Sequence, residues 1–346
     1  MRANQTVATF LHISDLHLGH IRAGAGAVAG AALPRGYRVH SLFNGRLGHH
    51  DAALDQLRAF HRRLKRQGPV RLVVTGDLTA DGHPVQFAMA GDFLGSRLPP
   101  AHGGYGLADP DWKDFAVPGN HDHWPGSGRI VGNPTAAMQG CFHPLPWLQA
   151  LPMPAGLPPV TVAGIDSDVD VVPVSASRLL ANGSFSSHLR LLAGRLPPAA
   201  PGEVRVLVMH HSPSYVHGGR VKMMGIETAC HEDLKEFLVL HGFRIVLSGH
   251  VHRNAVTVQP VTCGQETREI LEARCASTTQ LDRLAVLAAP VAPSWLRRGQ
   301  GPDDVNSLMV HRLHWDGQAM AWETSVHHRT RRGFLPWPDS VTAMRL

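Results

Sequence analysis

Five short polar clusters, each at the end of an apolar run, most constrain what this chain can fold into. They are Asp15-Leu16-His17, Gly76-Asp77, Gly119-Asn120-His121-Asp122, His210-His211 and Gly249-His250-Val251-His252. The runs that lead into them (7–14, 70–74, 115–117, 204–209 and 243–247) read as buried strands that deliver polar side chains at their tips. Helical patterns lie between. From His50 to Gln67, Ala53, Leu54, Leu57, Phe60 and Leu64 share one face, and Gly68-Pro69 ends the segment. Residues 85–98, 184–196 and 227–241 read as further helices, and 160–165 as a strand. This alternation predicts an α/β fold with the clusters on loops at strand ends.

The remaining segments are punctuated differently. Residues 19–36 read as a Gly/Ala-rich loop or lid, 125–159 as an irregular Pro/Gly-rich excursion, and 281–303 as a surface insertion. Beyond about residue 254 the pattern turns to short alternating runs at 267–275, 307–315 and 319–327, the last two split by Asp316-Gly317 as a hairpin. No internal repeat or linker is visible. A single domain over 1–346 is expected, with a core over about 7–280 and a C-terminal hairpin over about 305–330.

Two carboxylates (Asp15, Asp77), one amide oxygen (Asn120) and several imidazoles suit a pair of divalent or trivalent metal ions bridged by an aspartate. Two such ions favour in-line displacement at phosphorus. Asp15 and His17 are two apart, as are His250 and His252, so on an extended strand end each pair points one way. A lone Asp-x-His or His-x-His is weak, since a turn or a solvated strand end explains it equally well. Their occurrence together with Gly-Asp and Gly-Asn-His-Asp is what carries weight. Gly76, Gly119 and Gly249 allow sharp turns and close backbone approach where a β-carbon would clash.

Neighbouring residues have blander readings beside the functional ones. His20, His123 and His217 flank the clusters, as surface histidines or substrate contacts. Trp124 is core packing or a stacking platform, and Met223-Met224 is packing. Asp166 and Asp168 resemble a second acidic cluster, but no histidine lies near them in sequence, so they read as structural turn residues.

Composition narrows the partners. The net charge of +6 favours anionic substrates by long-range steering. Only 6% of residues are aromatic and the basic ones are mostly scattered, which argues against a nucleic-acid groove. The 24 histidines count for little except by position. Four cysteines (Cys141, Cys230, Cys263, Cys275) lack C-x-x-C spacing, which argues against a zinc knuckle or disulfide framework. No apolar stretch approaches the roughly 20 residues of a membrane helix, no signal peptide is apparent, and a cytoplasmic location is expected.

In order and wording, the five clusters resemble the calcineurin-like metallophosphoesterase superfamily over residues 10–252. The stretch Ala276-Ser277-Thr278 is similar to the tail of its bacterial members. Asp15-Leu16-His17-Leu18-Gly19, Gly76-Asp77-Leu78-Thr79 and His210-His211-Ser212-Pro213 are most similar to class III cyclic nucleotide phosphodiesterases and related bacterial diesterases. The resemblance implies a four-layer α/β/β/α sandwich with two central mixed sheets.

It also implies a site. One metal would take Asp15, His17, Asp77 and His252, and the other Asp77, Asn120, His210 and His250. The ions would be manganese, iron or zinc, and a hydroxide bridging them would attack phosphorus. Asn120 and His121 would contact substrate, and His121 would protonate the leaving oxygen or stabilise charge on the phosphorane. Of His210 and His211, His210 is the expected ligand and His211 the substrate-facing neighbour. Protein phosphatases of the superfamily carry an aspartate where this chain has Ala80, which leaves Asp81, Asp122 or no carboxylate to orient His121. The expected function is hydrolysis of a small phosphodiester such as a cyclic nucleotide. A phosphomonoesterase or nucleotidase, a nuclease, and an inert scaffold are the alternatives. A small phosphoester is the expected partner, and a homodimer is admitted.

Overall fold

The computed structural model describes residues 5–18, 51–95, 106–126, 130–214, 224–279, 306–338 and 340–346. The expected lid at 19–36, the insertion at 281–303, and His20, His217 and Met223 lie outside them. In chain order the strands are β1 (Gln5–Ile13), β2 (Arg71–Thr75), β3 (Ala116–Val117), β4 (Trp147–Ala150), β5 (Val160–Gly164), β6 (Val204–Val208) and β7 (Phe243–Ser248). There follow β8 (Ala255–Cys263), β9 (Glu266–Arg274), β10 (Ser307–Trp315), β11 (Met320–Thr330), β12 (Gly333–Pro336) and β13 (Thr342–Arg345). The helices are α1 (Asp51–Lys65), α2 (Pro84–Gly95), α3 (Ala136–Cys141), α4 (Ala176–Leu179), α5 (Ser186–Ala193) and α6 (Thr228–Leu240).

The strands form two mixed sheets. The first runs β12-β11-β10-β1-β2-β3, with β13 also on β11, and the second runs β4-β5-β6-β7-β9-β8. β1, β2 and β3 are mutually parallel, as are β5, β6, β7 and β9, while the outer strands pair antiparallel.

Side-chain alternation sets the layering, because successive strand residues point to opposite faces. Phe10, Val73, Met309 and Trp322 of the first sheet meet Val162, Val206, Val208, Ile245 and Leu247 of the second in one buried cluster. The intervening Leu11, Leu72, Val74 and Val310 face outward onto Leu54, Leu57 and Phe60 of α1 and Phe87 and Phe93 of α2. On the far side, Leu207 and Val246 pack against Leu189 of α5 and Leu234 and Phe237 of α6. The result is an α/β/β/α stack with apolar residues on both faces of each sheet, which is why the central strands read as continuous apolar runs.

The irregular reading of 125–159 is corrected by α3 and β4 within it. β4 is an edge strand whose four residues are hidden among prolines and glycines in the sequence. β8 was also missed, because most of its residues are exposed at the sheet edge and show no buried alternation. Among the described residues no helix is long and apolar enough to cross a membrane.

Candidate metal centre

The five clusters follow directly on β1, β2, β3, β6 and β7, at the carboxyl ends of parallel strands, where open α/β sheets present their sites. Register then brings the clusters together. Ile13 pairs with Val74, so the Asp15 amide donates to the Gly76 carbonyl at 3.0 Å, and the His17 amide donates to the Asp77 carbonyl at 3.0 Å. Val208 pairs with Leu247, and beyond them the Gly249 amide donates to the His210 carbonyl at 2.9 Å.

The pairs spaced two apart are not extended, which corrects the strand-end reading. Asp15 (φ 53°), His17 (48°), Asp77 (51°), His250 (72°) and His252 (57°) all adopt the left-handed region. That region costs an L-residue roughly 1–2 kcal/mol and persists only where surroundings over-determine it. Here the Ser277 hydroxyl donates to the Asp15 carbonyl and the Thr279 hydroxyl to the Leu16 carbonyl, both at 2.7 Å, while Thr278 Oγ1 accepts from the Ser14 amide at 3.1 Å. These hydroxyls lie more than 260 residues away in sequence, and only the family-like tail hinted at them. Close approach is equally demanding. A β-carbon on Gly119 would lie 2.3 Å from Asp77 Oδ1, and one on Gly249 would lie 1.8 Å from Ser14 Oγ.

Ligand-type atoms converge in two groups, each within 4.8 Å: Asp15, His17, Asp77 and His252, and Asp77, His210 and His250. Asp77 belongs to both. Asn120 Oδ1 lies 3.1 Å from His210 Nε2, on the second group. His17 Nε2 and His252 Nε2 are 3.2 Å apart, and His250 Nδ1 and His210 Nε2 are 3.1 Å apart. Ring nitrogens facing one another at this range, with two carboxylates among them, fit cations in an O/N shell.

Backbone carbonyls fix the tautomers. His210 Nδ1 donates to the Thr75 carbonyl at 2.6 Å, and His250 Nε2 to the Ala181 carbonyl at 3.1 Å, which leaves His210 Nε2 and His250 Nδ1 for a metal. Burial pushes His17 and His250 down to about 3, so both are neutral. Burial would lower His210 too, but the Asp77 carboxylate overrides it and raises this imidazole to about 10. Burial disfavours a charge on Asp77 and Asp15, yet the imidazoles around them hold both below the usual carboxylate range.

His211 does not sit where a substrate-facing role would put it. It is fully buried, with Nδ1 2.8 Å from the Ser167 hydroxyl, and its ring lies against His250 at 4.2 Å between centroids. His121 lies at the Asp77 edge: its amide donates to Asp77 Oδ1 at 2.8 Å, and its Nε2 is 3.9 Å from Asp77 Oδ2. Its Nδ1 donates to the Ala80 carbonyl at 2.8 Å, so the orienting group is backbone. Asp122 serves elsewhere, accepting from the Leu78, Thr79 and Gly119 amides. Trp124 stacks on the His121 ring at 3.7 Å.

Asp166 and Asp168 lie at a turn, as expected, with residues 167–170 turning and Asp166 Oδ1 accepting from the Asp168 amide at 2.9 Å, and both also hold partners that the sequence does not show. Asp166 Oδ1 accepts from His123 Nε2 at 2.9 Å, and Asp168 Oδ1 accepts from the Arg178 guanidinium at 3.2 Å. The partner of Asp166 comes from the turn after β3 and that of Asp168 from α4, and neither pairing shows in the local sequence pattern.

The family model described as calcineurin-like phosphoesterase matches residues 8–254. No curated protein matches the chain. Among solved structures, a purple acid phosphatase from yellow lupin (Lupinus luteus) is similar over 98% of this chain and 54% of its own, at 13% identity and a TM-score of 0.49. The chain therefore spans about half the length of that enzyme. GAP50, the anchor in the inner membrane complex of Plasmodium, matches over 99% of this chain and 89% of its own, at 12% identity and a TM-score of 0.49. A 5′-nucleotidase from Candida albicans matches over 100% of this chain and 52% of its own, at 11% identity and a TM-score of 0.37.

Proposed function

The chain belongs to the calcineurin-like phosphoesterase family, and from that premise we propose that it is a binuclear metal-dependent phosphodiesterase acting on small phosphodiesters. The observation that carries this reading is the single carboxylate of Asp77 shared by two ligand groups. Asp15, His17, Asp77 and His252 would hold one ion, and Asp77, Asn120, His210 and His250 the other. When bound, the ions supply Lewis-acid polarisation of the phosphoryl oxygens and a water acidic enough to ionise near neutral pH.

The remaining work falls to the chain's own groups. His121 has Nδ1–H committed to the Ala80 carbonyl, so Nε2 is its working atom. Nε2, unprotonated in this tautomer, would take the proton of the attacking water and pass it to the leaving alkoxide. Trp124 covers one face of the ring and limits its rotation. Asn120 orients a phosphoryl oxygen from the same turn. The diester preference is supported by the wording of the Asp15, Gly76 and His210 motifs.

The test is turnover of bis-p-nitrophenyl phosphate against p-nitrophenyl phosphate after manganese or iron loading. The diester should be the better substrate, and Asp77→Asn should abolish its turnover while the folded far-UV spectrum persists. Preference for the monoester would make the chain a phosphomonoesterase, and full turnover by the variant would end the binuclear reading.

A further inference from the structure

One polar row crosses the apolar layer between the two sheets. Thr75, His12, His311 and Thr324 sit on β2, β1, β10 and β11, neighbours in that order across the first sheet, and all are fully buried. Alternation gives their direction, since Val73, Phe10, Met309 and Trp322, each two residues earlier, belong to the apolar cluster between the sheets. His12 Nε2 lies 2.9 Å from Thr75 Oγ1, His12 Nδ1 3.1 Å from His311 Nε2, and His311 Nδ1 2.9 Å from Thr324 Oγ1. The Trp322 indole closes the row by donating to Thr324 Oγ1 at 3.2 Å. Burial pushes His12 down to about 3 and His311 well below the ordinary imidazole value, so both rings are neutral. A neutral ring has one N–H and one lone pair, so the donors run in one sense from end to end.

Apolar side chains would fill this layer without the cost of burying polar groups, so packing does not explain the row. None of its members belongs to the two ligand groups. What the row reaches is Thr75, the last residue of β2. The Thr75 carbonyl accepts from His210 Nδ1 at 2.6 Å, the bond that leaves His210 Nε2 for a metal. Beyond Thr75 the chain turns through Gly76, at φ 91°, into Asp77. The turn has no slack, because a β-carbon on Gly76 would lie 2.5 Å from His210 Nδ1. The side chain of Thr75 is thus held by His12 while its main chain holds His210.

We infer that His12 and His311 are positioning residues for the candidate metal centre, setting through Thr75 the direction in which His210 presents Nε2. The inference rests on the binuclear reading for its metal. The orientation of His210 is measurable without one.

NMR of the metal-free full chain with ¹⁵N-labelled histidine, followed by cobalt(II) titration, tests this. His311→Phe keeps a ring in the layer and cuts the row at His12. Thr75→Val is nearly isosteric and cuts it at the other end. Each should speed solvent exchange of the His210 Nδ1 proton. Each should also weaken binding of one of two cobalt ions by about tenfold, the lower end of what losing an outer partner costs. The double variant should match the singles, because both break one chain of bonds. His311→Gln, whose amide still offers His12 a donor and an acceptor, should recover most of the loss. Lower melting temperatures with His210 exchange and both cobalt affinities unchanged would overturn the inference, as would losses that add in the double variant. If His311→Phe fails to fold, Thr75→Val decides on the same signals. A wild-type chain that binds fewer than two cobalt ions sinks the binuclear reading, and the His210 proton still decides the row.

Discussion

Nδ1 of His121 donates to the carbonyl oxygen of Ala80 at 2.8 Å. A backbone acceptor thus does what a carboxylate does in protein phosphatases of the superfamily, and it fixes the tautomer without adding negative charge beside Asp77. Burial pushes His121 below the ordinary imidazole value, and Asp77 opposes this only in part. His121→Ala should therefore lower diester turnover by roughly 10²–10⁴-fold while metal content, measured by elemental analysis, stays at the wild-type level. Unchanged turnover would remove His121 from the mechanism.

His210 and His211 are adjacent in sequence but placed differently: His210 Nε2 lies 3.5 Å from Asp77 Oδ2, and His211 Nδ1 bonds Ser167. His210→Ala should cost about one metal equivalent per chain. His211→Ala should keep both metals and lose stability instead, by roughly 1–3 kcal/mol for the buried partner it strands. Metal-to-protein ratios that reverse this order would exchange the two assignments.

Gly249 touches the Ser14–Asp15 turn so closely that an added methyl has no room. Gly249→Ala should destabilise the fold by roughly 1–3 kcal/mol through overpacking and displace Asp15 from its ligand group. A lower melting temperature together with weaker manganese binding is the expected pair of results. A variant with wild-type melting and metal binding would contradict the geometry.

His327 provides a pH test away from the metal cluster. Burial against Phe60 and α1, with Arg312 and Arg63 nearby, pushes its imidazole down to about 4. The folded value lies below the unfolded one, so the unfolded chain takes up the proton first. The contribution to stability is present above pH 6.5 and is lost as pH falls through 4. It amounts to at most about 3 kcal/mol at 1.36 kcal/mol per unit. In chelator-treated protein, His327→Phe should flatten the fall in denaturation midpoint between pH 7 and 4.5 relative to wild type. Parallel curves for the two proteins would contradict the burial of a neutral His327.

The strand-and-helix alternation and the metal-binding candidates are legible in the residues alone, because both depend on local chemistry. Apolar periodicity follows from which face is buried, and donor types at strand ends follow from what a cation accepts. Asp15, His17, Asp77, Asn120, the His210-His211 pair, His250 and His252 stand out in that way, while the choice of His210 over His211 and the division between two ions came from the family resemblance. Tertiary structure alone decided their backbone state and their surroundings. The left-handed turn at Asp15 is held by hydroxyls from residues 277–279 and by the Gly76 carbonyl, and the one at His250 by the Asp15 carboxylate, which accepts from the His250 amide. The acceptor for His121 was a main-chain carbonyl, which no side-chain pattern records. Asp166 found its partner in His123 on the turn after β3, and Asp168 in Arg178 on α4, ten residues along the chain. A linear pattern carries composition and period, but which distant loops meet is fixed by packing across the whole core.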